Sequence, residues 1–228
     1  MTHPLALAVA LVTGVVVAVS VRPVLARLPE PVGVSESDDK IAYLDLGSRR
    51  FVLTCALVAV LAQAIALVAL PLSVQPLWTV LAVCGVLLAA IDARTTWLPL
   101  RLTRLGWVLM ALAAAASPLL GASLTDVLRT VGGAALAGSF YFLVWLVTKG
   151  GFGFGDVRFA PLLGAATASQ SWTLLVWGLM LGNIVGAVHA GGRLVARLEG
   201  GFPYAPSMLA GCYLAVLALR LLAPSGPG

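Results

Sequence analysis

Charge is what this chain has least of. Asp, Glu, Lys and Arg together make up 10% of its 228 residues, against 61% hydrophobic ones, and its mean hydropathy is +1.03. So little polar surface cannot wrap a water-soluble core of this size, which excludes a soluble globular domain and points to a polytopic membrane protein. Cysteine is also scarce. Cys55, Cys84 and Cys212 each sit inside an apolar stretch with no CxxC pair, which argues against a disulfide framework or a thiolate zinc site and reads as small buried packing residues. The 14 Lys and Arg against 9 Asp and Glu would suggest a polyanion partner in a soluble protein. Here the basic residues flank apolar spans, so they report orientation and no nucleic acid is implied.

The hydrophobic runs that remain read as eight spans of an all-α bundle. They cover about Pro4–Val21, Phe51–Leu70, Leu77–Asp92, Leu102–Leu120, Val127–Val147, Val157–Ala168, Trp172–Ala190 and Pro206–Leu222. Residues 1–50 are then a first span plus a short cytoplasmic loop, and residues 51–228 a seven-span core. The first span has no Lys or Arg before it and Arg22 and Arg27 after it, the charge order of an uncleaved span with its N-terminus outside. The SESDDK stretch, Ser35 to Lys40, reads as a solvated loop. The PLSVQP stretch, Pro71 to Pro76, reads as a tight turn on the other side. Val157–Ala168 is the odd one, because its helical rise of ~18 Å falls short of a hydrocarbon core of ~30 Å.

Basic residues are distributed unequally between the two sides. Twelve lie on the side of the first long loop, while only Arg129 and Arg220 lie on the other. An imbalance of that size places the basic loops in the cytoplasm. Asp92 and Asp156 then share the cytoplasmic face, because an even number of spans separates them.

These two acids abut apolar spans. Asp92 stands in AAIDARTTWLPLRLT, and Asp156 follows alternating glycines in GGFGFGDVR, Gly150 to Arg158. Ionisable groups beside membrane spans are functional candidates, and two carboxylates on one face have the chemistry to move protons to and from water. A capping role competes at both positions, since Asp suits a helix start. Asp126 is the comparison: it precedes an apolar span on the opposite face, has no glycine run, and reads as a cap. Gly151, Gly153 and Gly155 permit close backbone approach. As a nucleotide fingerprint they fail, because no strand or βαβ unit surrounds them.

DARTTWLPLRLT and GFGFGDVR together resemble the two signatures of prepilin peptidases, the polytopic membrane aspartyl proteases with a GxGD motif. RLP at Arg27 to Pro29 and FPYAPSMLAG at Phe202 to Gly211 extend the resemblance over nearly the whole chain. It implies that Asp92 and Asp156 are the catalytic pair, with Gly153, Gly155, Arg158, Arg94 and Pro99 as loop or substrate-contacting candidates. It also implies prepilin-like precursors as substrates, the inner membrane as location, an active site facing the cytoplasm, and neither cofactor nor metal. Three features depart from the family pattern. Leu100 stands where an acid often follows LP, Arg158 replaces a common Lys, and the cytoplasmic insertion with paired CxxC motifs is missing. The last puts N-methylation of the product in doubt.

The alternative of another class is a non-catalytic membrane subunit or a small proton-coupled transporter, which would favour midplane ionisable groups and an internal repeat. Gly178, Gly182 and Gly186 are spaced by four and read as a helix-packing face, Gln63 as an interhelical hydrogen bonder, and Asn183 and His189 as polar residues of one span, His189 at its interfacial end.

Orientation is directly testable. In a background lacking Cys55, Cys84 and Cys212, single cysteines at positions 37 and 73 are expected to react with an impermeant thiol reagent in intact cells only at position 73. Labelling at position 37 from outside overturns the assignment.

Overall fold

The computed structural model describes residues 3–30, 41–149, 151–197 and 201–222. The SESDDK stretch and Gly150 lie outside the described residues. Among the described residues the chain is helical with no strand. Helix α1 spans His3–Leu25 and α2 Arg49–Ala69; α3 (Gln75–Val80) and α4 (Val86–Thr95) run on through a π-helical turn at Leu81–Gly85. Next come α5 (Leu100–Ala116), α6 (Leu124–Val147), α7 (Phe154–Gln170), α8 (Trp172–Val195) and α9 (Ala205–Leu222). Seven passages are long and apolar enough to cross a membrane, with Leu72–Thr95 counted as one of them. The eighth passage is α7, whose 17 residues rise ~25 Å. The molecule is therefore a polytopic helical membrane bundle.

Several expected boundaries shift outward by a turn, for capping reasons. PLSVQP is shorter as a turn than it reads, because Leu72–Val74 is already 3-10 helical and Pro76 sits in the first turn of α3, where its missing N–H costs nothing. Helix α4 runs past Asp92 to Thr95, whose hydroxyl donates to the Ile91 carbonyl at 2.9 Å. Helix α7 starts at Phe154, so Asp156 lies inside its first turn and does not precede it.

The periphery and the centre of the bundle differ sharply. Side chains such as Leu5, Val12, Leu57, Val131, Leu143, Val176 and Val188 on α1, α2, α6 and α8 are exposed, as expected where lipid is the solvent. In contrast, 72% of the most hydrophobic window of Leu72–Thr95 is buried, against 22% to 50% in the other six spans. Helix α7 is enclosed in the same way, with Asp156, Phe159, Leu162, Leu163, Ala166 and Thr167 all buried. The two central passages are the two that carry the paired Asp candidates.

Small residues are what allow so tight a centre. Gly133 and Ala137 of α6 face Gly164 and Ala168 of α7 so closely that a Cβ at Gly133 would sit 2.5 Å from the Gly164 carbonyl oxygen. Gly178 and Gly182 of α8 meet α9 at Cys212 and Met208 in the same manner, and Gly186 meets Tyr204. The four-residue glycine spacing is thus a packing seam, in which dispersion between close backbones does the work that water does for soluble cores. At one end of the bundle Arg129 donates to the carbonyls of Ala168 and Ser169 at 2.6 and 2.7 Å, satisfying groups that the end of α7 leaves open. Gln63 meets Gln75 across α2 and α3 at 3.5 Å, and Gln75 donates to the Ala66 and Leu70 carbonyls.

Gly164→Val drives a branched side chain into the Gly133 carbonyl and Ala137. It is expected to lower stability in detergent by at least about 1–3 kcal/mol, read as a fall in thermal midpoint. Gly191→Val, at a position with nothing within 4 Å, is expected to leave the midpoint unchanged.

Candidate active site

Asp92 is delivered by the last turn of α4, and the turn that follows sets its surroundings. Thr96 ends the helix in the left-handed region at φ 57°, its N–H donating to the Asp92 carbonyl at 2.7 Å. A β-branched residue there is strained. Pro99 then starts α5, its carbonyl accepting from the Thr103 N–H and hydroxyl at 3.0 and 3.1 Å. This leaves Leu98 beneath the glycine loop, where a Cβ at Gly155 would lie 3.1 Å from the Leu98 Cβ. A side chain at Gly155 would press on Leu98, so glycine eases the close approach of the two segments.

Gly153 is the residue from which α7 starts, and Asp156 is the third residue of that helix. Asp156 thus stands in the first turn and is not the N-cap residue, which is Gly153. Asp126 behaves oppositely: it forms a reciprocal capping box with Ser123 and an ion pair with Arg129 at 2.6 Å.

Asp92 and Asp156 line one cavity of about 440 Å³ together with Thr96, Trp97, Leu98, Gly153, Phe154, Gly155 and Arg158. Both carboxyls are buried, at 4% and 8% exposure, in a bundle that offers few polar partners. Asp92 Oδ2 accepts the backbone N–H of Ala205 at 3.0 Å, from the first turn of α9. Oδ1 of Asp156 is buried and has no hydrogen-bond partner among the described residues. Arg158 places its guanidinium 4.6 Å from the centre of the Phe154 ring and forms no ion pair with either Asp. Arg94 and Pro99 do not line the cavity. Arg94 is exposed in the last turn of α4, and Pro99 is buried under the turn it begins.

Aromatic rings hold the glycine loop in place. Phe152 stacks on Tyr141 at 5.5 Å and meets Tyr204 edge-on at 5.1 Å, while Phe154 packs on Trp145 at 5.1 Å. Tyr204 in turn donates its hydroxyl to Asn183 Oδ1 at 2.6 Å, and Asn183 donates to the Leu179 carbonyl. Asn183 is thus a support for the loop preceding α9. His189 is exposed and rests against Phe202 at 4.9 Å, in keeping with an interfacial histidine. On the other flank Tyr43, in a 3-10 turn at Tyr43–Leu46, is buried with its N–H donated to Glu30 at 2.9 Å. Burial pushes its hydroxyl up to about 12, with Glu30 and then Asp92 adding to the effect. Sequence motifs did not mark Tyr43, or the Ala205 N–H. A backbone donor brought from 113 positions away has no side-chain signature.

The type IV leader peptidase family matches residues 78–191, a stretch that holds both Asp candidates. Searches of curated proteins and of solved structures give no match.

Thr96→Gly removes the left-handed strain at the cavity edge. It is expected to raise the thermal midpoint, by a stabilisation of about 1 kcal/mol, as measured by thermal unfolding in detergent. A lowered midpoint shows that the Thr96 side chain contributes more than its backbone conformation costs.

Proposed function

Since the chain belongs to the type IV leader peptidase family, we propose that it is an aspartyl endopeptidase that uses Asp92 and Asp156 to remove the short basic leader of prepilin-like precursors at the cytoplasmic face of the inner membrane. The observation that carries this reading is the meeting of two buried carboxyls, from the two most enclosed passages, in one cavity. Such a precursor has an apolar helix in the bilayer and a basic leader in the cytoplasm. A carboxyl pair at the cytoplasmic boundary meets the bond between them.

Two buried carboxyls lining one cavity resist double ionisation, so the pair holds one proton. The ionised member takes a proton from water as the water oxygen bonds to the scissile carbonyl carbon, and the protonated member gives its proton to the carbonyl oxygen. The resulting diol collapses when the C–N bond breaks, the amine nitrogen taking the proton just stored and the second hydroxyl returning its proton to the other carboxyl. The products are a carboxylic acid and an amine, and the pair is restored. Gly153 and Gly155 let the chain run close to both acids, and Arg158 borders the cavity from its perch on Phe154. Residues 27–50 carry no cysteine, so proteolysis is the activity proposed, without N-methylation.

Asp92→Asn and Asp156→Asn are each expected to reduce cleavage of a co-expressed prepilin-like precursor by a factor on the order of 10³ or more, with the double variant little worse. Expression and membrane insertion stay close to wild type, and Asp126→Asn remains active. Mass spectrometry of the product is expected to show loss of the leader and an unmethylated N-terminus. Near-normal cleavage by either of the first two variants sinks the two-carboxylate reading.

A further inference from the structure

The two carboxyls are not equivalent, and the difference lies in their donors. Asp92 Oδ2 receives the Ala205 N–H at 3.0 Å. This donor belongs to the first turn of α9, where N–H groups have no partner within the helix. Tyr204 supplies the carbonyl that accepts the Ser207 and Met208 N–H groups at 3.0 and 3.1 Å, so the turn is held by the helix it begins. Asp156 receives no comparable donor at Oδ1, which is buried and unpartnered among the described residues. Backbone N–H bonds favour a carboxylate, whereas a buried oxygen without a donor favours the protonated acid.

The fields of the two parent helices act in the opposite sense. Asp156 sits in the first turn of α7 and Asp92 near the end of α4, positions where the helix dipole favours and disfavours negative charge respectively. Direct bonds to a charged group are the larger effect, since the dipole acts without contact and typically contributes less than such a bond. The other titratable or charged groups around Asp92 are Asp156 and Arg158 of α7, Tyr43 of the 3-10 turn, and Tyr204 before α9. Both tyrosines are neutral at working pH. Arg158 is turned onto Phe154 and is bonded to neither carboxyl. Nothing among these groups reverses the asymmetry set by the Ala205 bond.

We propose that the Tyr204–Ala205 turn is a positioning element that assigns the roles of the pair, holding Asp92 as the ionised base that activates water and leaving Asp156 as the acid that protonates the carbonyl. The assignment rests on the proposed two-carboxylate reaction. In that reaction Asp92 accepts the water proton and later passes it to the leaving nitrogen, while Asp156 lends its proton to the carbonyl oxygen and regains it on collapse. Ala205 touches no substrate and acts through Asp92.

Two measurements test it. In the first, the Ala205 N–H is deleted by replacing residue 205 with lactic acid, which turns the amide into an ester, and by Ala205→Pro, which is tolerated in the first turn of a helix. Ala205→Gly, which keeps the N–H, is the control. Removing the donor is expected to move the acidic limb of the kcat/KM profile up by about one to two pH units, leaving the alkaline limb in place. The control is expected to keep both limbs where they were, whatever its rate. Movement of the alkaline limb alone, or of neither limb, in a folded and cleaving variant overturns the assignment. The second measurement does not depend on those variants folding. Infrared difference spectra near neutral pH are expected to show the protonated-carboxyl C=O band in Asp92→Asn and to lack it in Asp156→Asn. The reverse pattern, or a band in both or in neither, overturns the assignment. Cleavage by either Asn variant would instead overturn the two-carboxylate reaction itself, so the two failures are distinguishable.

Discussion

Desolvation of two carboxyls is the constraint on which the rest of the structure depends. Asp92 and Asp156 are buried in a bundle whose other buried polar residues, among the described ones, are uncharged Thr, Ser and Gln, and a buried acid without partners is costly as an anion. The surroundings respond on each side of the cavity. The first turn of α9 turns the open N–H of Ala205 toward Asp92. Arg158 is drawn onto Phe154 and away from an ion pair that would neutralise the site. The packing of the remaining helices serves to hold these few groups where they are.

That packing comes from two seams of small residues that bracket the pair. The seam between α6 and α7 fixes the helix that carries Asp156. The one between α8 and α9 fixes the turn that reaches Asp92. Neither seam gains from expelling water, so their close fit must come from backbone contact, which explains why glycine and alanine recur where soluble bundles use leucine. Aromatic side chains finish the enclosure: Phe152, Tyr141 and Tyr204 fasten the glycine loop against α9.

Much of this was legible in the sequence, because hydropathy is a property of long windows and survives local detail. The number and order of passages, the packing role of Gly178, Gly182 and Gly186, the capping role of Asp126 and the shared face of the two Asp motifs followed from composition, spacing and charge, while their pairing was implied by the family resemblance. Helix ends did not, since they turn on single hydroxyls and carbonyls such as those of Thr95 and Ile91. Hydropathy falls at polar residues while the helix continues, so Asp92 read as an end and stands one turn inside. Arg94 and Pro99 lie within a motif yet outside the cavity, because neighbours on a helix or turn point in different directions. The Ala205 N–H lies within FPYAPSMLAG yet went unmarked as a donor for a different reason: every residue except proline has the same N–H.

Helix α7 is fastened at the end remote from its acid, where Arg129 grips the carbonyls of Ala168 and Ser169. From Asp156 to that anchor the helix rises ~20 Å, shorter than a hydrocarbon core of ~30 Å. With that end held at the opposite surface of a bilayer, the depth of Asp156 is counted from there and not from the surface nearest to it. Its height relative to the nearer headgroups then varies with the thickness of the lipid, which makes the membrane itself a part of the geometry of the site.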